Sequence, residues 1–220
     1  MQRIQAVIFD MDGVLVDSEP FYMAQELISY ARYGIALEKS ALSRFVGTTQ
    51  GSMWSTIKDE FGLTEPLDFL MAQHHRQLIQ AIGLDPLESM PGAQTFLAAL
   101  NAAGTACAVG SSSAGELVEV ILRDSQLRPH FQHVVCGTDV KQGKPAPDIF
   151  LLTAERLGVT PDVCLVIEDS HHGVAAAKAA GMFCIGLSNP NSGQQDLSAA
   201  DMCVQNHDEI RQWFIEHKHL

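Results

Sequence analysis

The chain has little positive charge, and no long apolar run occurs in it. Its 14 Lys and Arg residues face 26 Asp and Glu residues, so the formal net charge is −12. Binding to nucleic acid requires a positive surface stripe, which this sequence lacks, so we expect no nucleic-acid partner. No apolar stretch approaches the length of a membrane span, and the amino terminus leads into a predicted strand without a signal peptide. We therefore expect a cytoplasmic protein with no membrane partner.

The chain also lacks a cysteine pattern that would bind a metal. The five cysteines show no metal-ligand spacing, and each falls in a predicted buried strand or at its end. An odd number of such thiols fits a reducing compartment and a packing role. Hydrophobic residues make up 46% of the 220 residues, which is enough for one substantial core together with a small second domain.

The most informative segment is an acidic string that follows the first apolar run. Ala6–Phe9 is short, apolar and partly β-branched, which predicts a buried strand of a parallel sheet. Asp10 and Asp12 follow it, and side chains two positions apart in an extended segment point the same way, while Gly13 lets the backbone turn. Two such acids repel each other unless a divalent cation neutralises them. One can then attack a phosphate and the other can exchange a proton with the leaving oxygen.

The same string has two simpler interpretations. Asp and Gly both suit tight turns, and Asp-x-Asp-Gly also forms part of calcium-binding loops. A calcium loop continues with oxygen donors at alternate positions and a Glu near its twelfth residue, whereas Val14, Leu15 and Val16 follow here. On this string alone, a turn and a catalytic site both stay open.

A serine triplet follows a second apolar strand. The run 106–110 leads into Ser111 and Ser112 and then into an amphipathic stretch from residue 114 to 123. Hydroxyls and free N–H groups at the start of a helix bind phosphate oxygens, and the helix dipole favours an anion there. Capping of the helix by Ser112 or Ser113 is the alternative interpretation.

A lysine and a second acidic pair complete the set. Pro145 restricts Lys144 to an extended conformation at a predicted strand-to-helix junction, where a fixed ammonium can neutralise a phosphate and its nucleophile. The alternative is an ordinary solvated loop lysine. Glu168 and Asp169 follow another apolar strand, although adjacent acids on a loop are often only solvated charge. Oxygen ligands drawn from several loops fit Mg²⁺, which the sequence therefore predicts as the cofactor.

With these residues in this order, the chain resembles the haloacid dehalogenase superfamily of phosphotransferases over its whole length. The segments 9–20, 143–147 and 168–170 are similar to the branch that contains β-phosphoglucomutase and small sugar-phosphate phosphatases. The resemblance implies an α/β fold, namely a doubly wound, mostly parallel sheet (a Rossmann-like core) with an inserted α-helical cap domain.

The resemblance also implies roles for single residues. Asp10 would be the nucleophile that forms an aspartyl-phosphate, and Asp12 would be the general acid and later the base for water. Ser111 and Lys144, together with Ser112, would hold the transferring phosphoryl group. The implied metal ligands are Asp10, the backbone carbonyl of Asp12, Asp169, and Glu168 as a further ligand or a supporting partner.

A change of pattern marks a second domain. After the first motif, helical periodicity replaces the short apolar strands until about residue 90. We predict a helical cap over residues 18–89 and a discontinuous α/β core of residues 1–17 and 90–220. Within the cap, Gly47, Thr48 and Gln50 belong to a polar, helix-breaking stretch that we expect to touch the leaving group; an ordinary interhelical loop is the alternative.

The predicted activity is hydrolysis of a small phosphorylated metabolite, a sugar phosphate in the first instance. The alternative is a sugar phosphomutase of the β-phosphoglucomutase type, which carries a His after its first motif and an Arg in its cap loop. This chain has Tyr22 and Gln50 at the matching positions, and Gln50 lacks the charge and the fork of donors that an Arg offers a second phosphate. Asp12 argues against a dehalogenase, because true dehalogenases lack that acid.

A non-catalytic phosphate-binding or signalling module is the third possibility. Receiver domains also accept phosphate on an Asp, but they are much shorter and place their acidic pair early, whereas here the pair follows the lysine. Every catalytic residue of the family pattern is present, which favours an enzyme. The sequence leaves open whether the protein is a monomer or a homodimer.

Overall fold

A parallel six-stranded sheet forms the centre of the α/β unit. The structure is a computed structural model that describes residues 3–45, 50–217 and 219. The strand order is β3-β2-β1-β4-β5-β6. The strands are β1 (Ala6–Phe9), β2 (Ala106–Ser111), β3 (His133–Cys136), β4 (Cys164–Glu168), β5 (Phe183–Leu187) and β6 (Met202–Val204).

Helices flank the sheet and also form a separate insertion. The chain divides after Asp17 and again after Pro86 into two compact units. The insertion contains α1 (Glu19–Ala31), α2 (Gln50–Phe61) and α3 (Leu67–Leu84). The α/β unit contains α4 (Ala93–Ala102), α5 (Gly115–Asp124), α6 (Asp148–Leu157), α7 (His171–Ala179) and α8 (His207–Glu216). Within the described ranges, no helix combines the length and the apolar character needed to cross a membrane.

The sheet reverses its strand order at β1. This strand pairs in parallel with β2 on one side and with β4 on the other. In open sheets of this kind, ligands bind beyond the carboxyl ends of the strands at such a reversal point. The prediction of a doubly wound, parallel α/β core is confirmed, and the acidic string stands at the reversal point.

Consecutive side chains of β1 pack into apolar layers on opposite faces of the sheet. Ile8 belongs to a buried cluster that includes Phe150 of α6. The Phe9 ring instead lies edge-on against Phe96 of α4, with centroids 6.0 Å apart, and against Phe131 at 5.8 Å. Both faces of β1 are covered, which explains its near-continuous apolar run. Asp10, which follows β1, is therefore held at the end of a rigid element.

The insertion has an apolar core of its own around Trp54. The ring of Tyr30 lies edge-on to Trp54 at 5.1 Å, and Ile57 and Leu70 belong to the same buried cluster. The predicted helical insertion is therefore confirmed. Its first helix, α1, begins at Glu19, and Pro20 fits there because the first helical N–H groups have no partner within the helix.

The burial expected for the cysteines holds for four of them and is wrong for the fifth. Cys107, Cys136, Cys164 and Cys184 are buried, whereas Cys203 is exposed. Cys203 is the middle residue of β6, the strand at the edge of the sheet. Neighbouring side chains of a strand point to opposite faces of the sheet. Cys203 lies between two residues that are more buried, so its side chain faces outward.

Candidate active site

The polar segments singled out in the sequence meet at the carboxyl edge of the sheet. Asp10 follows β1, Ser111 ends β2, and Glu168 ends β4 with Asp169 next to it. Lys144 lies in the connection between β3 and α6. Because β2, β1 and β4 are parallel neighbours, their carboxyl ends lie side by side. The fold therefore brings together acids and hydroxyls that are far apart in the chain.

The ammonium of Lys144 joins two of these strand ends. Lys144 Nζ lies 2.5 Å from Asp10 Oδ1 and 2.7 Å from Glu168 Oε1. It also lies 4.9 Å from the centroid of the Phe150 ring. The side chain is only 6% exposed, so the alternative of a solvated loop lysine is wrong. The peptide bond between Lys144 and Pro145 is cis.

Burial and crowded negative charge dominate the electrostatics of the site. Burial raises the pKa of Asp10 well above its usual value; Lys144 opposes this shift, and nearby acids such as Glu168 add to it. Burial, followed by the charge of Glu168, raises the pKa of Asp169 to about 7. Burial alone would lower the pKa of Lys144, but the charges of Asp10 and Glu168 outweigh it and raise that pKa. The lysine therefore stays protonated, while the carboxyl groups resist simultaneous ionisation.

The excess of buried acid fits a divalent cation. Asp10 and Asp169 are only 7% and 6% exposed, and Lys144 offers them a single positive charge. Among the described residues, no three His, Cys, Asp or Glu side chains form a ready-made metal cluster. Mg²⁺ does not need one, because one or two carboxylates usually bind it while water and substrate phosphate complete its shell. The residues that would hold it are Asp10, Asp169 and the Asp12 carbonyl.

Glu168 makes contacts that differ from those of the other acids. Its Oε1 accepts a hydrogen bond from Lys144, and its Oε2 accepts from both the N–H and the hydroxyl of Ser170, each at 2.9 Å. The carboxylate is packed so closely against Gly173 that a Cβ atom at that position would collide with it. These contacts favour the supporting role for Glu168, because its oxygens already hold Lys144 and the start of α7.

The serine triplet does not cap the following helix. The residue at the helix cap of α5 is Ala114, so the alternative interpretation of the serines is wrong. Ser113 Oγ instead donates a hydrogen bond to Asp12 Oδ2 at 2.8 Å, and Ser113 N–H donates to Ser111 Oγ at 3.1 Å. Ser111 is fully buried and Ser112 is exposed. Sequence reasoning placed Ser113 only as a possible cap and missed its contact with Asp12.

The connection after β5 also reaches the site, which the sequence analysis did not anticipate. Asn189 Nδ2 donates to the carbonyl oxygen of Gly13 at 3.2 Å, and the hydroxyl of Ser192 donates to Asp169 Oδ2. The available signal was positional, since this connection leaves the carboxyl end of a strand that neighbours β4. Polar residues in loops have no periodicity that marks them as part of a site.

The structure describes one of the three insertion residues that were predicted to contact the substrate. Gly47 and Thr48 lie outside the described residues. Gln50 is the first residue of α2 and is half-buried. Contact of these residues with a substrate stays a prediction.

A doubly wound sheet whose carboxyl edge carries buried acids, a hydroxyl and a buried ammonium defines an α/β enzyme of the phosphoryl-transfer class. The family model described as haloacid dehalogenase-like hydrolase matches residues 7–187. The chain belongs to this family, and it is a phosphatase, that is, a phosphoric monoester hydrolase. Membership of the family implies metal-dependent catalysis.

Curated relatives extend over most of the chain. The fructose-1-phosphate phosphatase of Escherichia coli strain K12 is 33% identical over 181 residues, which cover 82% of this chain and 95% of the relative. A (DL)-glycerol-3-phosphatase of Arabidopsis thaliana is 33% identical over 211 residues, which cover 92% of this chain and 85% of the relative.

A solved structure also matches over the full length. It is a haloacid dehalogenase family hydrolase from Deinococcus radiodurans R1 with bound phosphate and sodium. It is 30% identical to this chain, has a TM-score of 0.78, and the match covers 100% of this chain and 99% of the other. The likeness includes both the sheet and the helical insertion, because the whole chain is covered.

Proposed function

We propose that this phosphatase hydrolyses a small phosphorylated metabolite, in the first instance a sugar phosphate, with Mg²⁺ and through an aspartyl-phosphate on Asp10. The observation that carries the proposal is the buried contact of Lys144 with both Asp10 and Glu168. A buried lysine between two acids holds one carboxylate at the end of β1 and keeps a positive charge ready for an incoming phosphate.

In the proposed reaction, an Asp10 oxygen attacks phosphorus and the bond between phosphorus and the leaving oxygen breaks. Asp12 donates a proton to that oxygen, so that the product leaves as a neutral alcohol. Asp12 then accepts a proton from water, whose oxygen attacks the aspartyl-phosphate and releases inorganic phosphate and free Asp10. Ser111, Ser112 and Lys144 hold the phosphoryl oxygens during both steps. A bound Mg²⁺ supplies positive charge that offsets the charge developing on the phosphoryl group.

Three observations support a small phosphate ester as substrate. The two relatives described above act on fructose 1-phosphate and on glycerol 3-phosphate by name. The matched Deinococcus hydrolase holds phosphate. With a net charge of −12, the chain has no long-range attraction for a polyanion, so recognition depends on local groups such as Lys144. We propose that the helical insertion acts as the cap that selects the ester, with Gly47, Thr48 and Gln50 at the leaving group.

The test is phosphate release from a panel of sugar phosphates, glycerol 3-phosphate and nucleoside monophosphates, with Mg²⁺ and with EDTA. An aldose 1-phosphate isomerisation assay runs beside it. We expect Mg²⁺-dependent release from a subset of the panel, no isomerisation, and loss of release in Asp10→Asn, which keeps the shape of the residue but removes its nucleophilic oxygen. Radiolabel from a phosphorylated substrate should be trapped on wild-type protein by rapid acid quench and not on the variant.

Two results would contradict the proposal. Isomerisation without release would identify a phosphomutase. Undiminished release in Asp10→Asn would remove Asp10 from the chemistry and leave the reaction without its proposed intermediate.

A further inference from the structure

The connection after β5 touches the acidic site at more than one point. We refer to residues 189–195 as the β5 loop. Asn189 Nδ2 donates to the carbonyl oxygen of Gly13, in the turn that carries Asp10 and Asp12. Three positions further on, the hydroxyl of Ser192 donates to Asp169 Oδ2. One short loop therefore bonds both to the first acidic string and to the second acidic pair.

The β5 loop is itself held in a defined conformation. Asn189 Oδ1 accepts a hydrogen bond from Asn191 N at 2.9 Å, and the N–H of Ser192 donates to the Asn189 carbonyl at 3.1 Å. Gln195 Nε2 donates to the Ser192 carbonyl at 2.8 Å. Gln195 Oε1 lies 3.1 Å from the N–H of His171 at the start of α7. The main chain of Ser192 is thus held by hydrogen bonds at both its N–H and its carbonyl oxygen.

Close packing adds a steric constraint at the same place. Gly13 has a positive φ of 78°, and a Cβ atom built on it would overlap Asp169 Oδ2 and lie 2.7 Å from Ser192 Oγ. The Asp169 carboxylate and the Ser192 hydroxyl therefore sit against the bare Cα atom of Gly13. Ser192 is buried, with 8% exposure, so bulk water does not replace its hydrogen bond easily.

We propose that Ser192 is a positioning residue that orients the Asp169 carboxylate for Mg²⁺. Asn189 supports this arrangement, because its hydrogen bond to the Gly13 carbonyl oxygen holds the Asp10–Gly13 turn against the same loop. The inference rests on the proposed Mg²⁺-dependent function. The Ser192 hydroxyl occupies Oδ2 of Asp169, so the other carboxylate oxygen would be the one to bind the cation. Groups that hold a metal ligand by a hydrogen bond commonly change metal affinity when they are removed.

The test is calorimetric titration of the full-length protein with Mg²⁺ alone, in wild type and in Ser192→Ala. The expected result is a Mg²⁺ dissociation constant that rises about ten- to a hundredfold in the variant. Ser192→Thr keeps the hydroxyl and should restore affinity. Ser198→Ala removes an exposed hydroxyl further along the same connection and should bind Mg²⁺ as wild type does.

Two further measurements separate positioning from a general structural role. Phosphate release from p-nitrophenyl phosphate by Ser192→Ala should recover as the Mg²⁺ concentration is raised, which a distorted site would not do. Circular dichroism and thermal unfolding without metal show whether the variant is folded. If Ser192→Ala does not fold, Ser192→Cys keeps similar volume with a weaker donor and should show an intermediate loss of affinity.

The outcomes distinguish this inference from the function on which it rests. A folded Ser192→Ala with an unchanged Mg²⁺ dissociation constant would overturn the positioning role alone. Wild-type protein that binds no Mg²⁺ would overturn the proposed metal dependence and the positioning role together.

Discussion

The hydroxyl of Ser113 donates a hydrogen bond to Asp12 Oδ2 at 2.8 Å, across 101 positions of sequence. It ties the connection after β2 to the acidic string after β1. The same serine uses its main-chain N–H to bond Ser111 Oγ at 3.1 Å. A single residue therefore positions the proposed general acid and a proposed phosphate-binding hydroxyl together.

Replacement of Ser113 by Ala tests this relationship. The variant should lower kcat by up to roughly tenfold, because a hydrogen bond contributes about 0.5–1.5 kcal/mol and this one orients the proposed proton donor. KM should change little, since the loss concerns the proton donor. Steady-state phosphate release measures both constants. Ser113→Thr should retain most activity, and an unchanged kcat in Ser113→Ala would show that Asp12 is oriented by other groups.

Replacement of Gly173 by Ala tests the packing behind Glu168. The new Cβ atom would collide with the Glu168 carboxylate and displace it from Lys144. Overpacking of this kind costs about 1–3 kcal/mol of unfolding free energy, and kcat should fall with it. Urea denaturation and phosphate release measure the two effects.

Gly143→Ala is the matched control for Gly173→Ala. A Cβ atom at Gly143 meets nothing within 4 Å among the described residues, although the position is next to Lys144. It should leave unfolding free energy and kcat close to wild type. Equal damage from both substitutions would contradict the steric argument at Glu168.

Replacement of Lys144 by Met should abolish activity and leave the buried carboxylates of Asp10 and Glu168 without a positive partner. Removing one partner of a buried ion pair costs about 3–5 kcal/mol. Asp10 already has a raised pKa in the folded state, so the folded protein favours its protonated form. The stability that protonated Asp10 contributes to the folded state is lost as pH rises and the carboxyl group ionises. The variant should therefore be least stable, relative to wild type, in alkaline solution.

Urea denaturation at several pH values in EDTA checks the prediction for Lys144→Met. The difference in unfolding free energy from wild type should shrink as the solution is acidified, because protonation of Asp10 removes the uncompensated charge. A difference that grows toward low pH would contradict the assignment.

Glu26 in the insertion should make the stability of the protein depend on pH. Burial, with a smaller contribution from Glu19, raises the pKa of Glu26 to about 7 from its usual 4.5. A raised acid pKa contributes stability that is fully present below pH 4.5 and is lost as pH rises through 7. With 2.5 units between the two values, the penalty at pH 8 reaches at most about 3 kcal/mol.

Glu26→Gln isolates this contribution. The variant stays uncharged at every pH, so it should be more stable than wild type at pH 8 and close to it at pH 4. Urea denaturation of both proteins at the two pH values gives the difference in their unfolding free energies. The other titrating groups contribute equally to both proteins, so their contributions cancel in this difference. A difference that does not change with pH would show that Glu26 is solvated.

The sequence by itself determined the architecture and most of the candidate site. Short apolar runs predicted buried parallel strands, and the acids and hydroxyls that follow them had to meet, since parallel strands end at one edge of a sheet. Asp10, Ser111 and Glu168 are placed by this rule alone. The change to helical periodicity likewise predicted the insertion, because burial on one face of a helix imposes its own period.

Only the tertiary structure decided which polar side chains hold which. Ser113 lies against Asp12, and Ser192 lies against Asp169, through the paths that connecting segments take after leaving the sheet. Loop residues carry no hydrophobic period, so their partners depend on the three-dimensional route of the backbone and not on spacing. The burial of Lys144 against two carboxylates likewise depends on tertiary packing. The local sequence, a lysine before a proline, is the same whether the side chain lies in solvent or in the site.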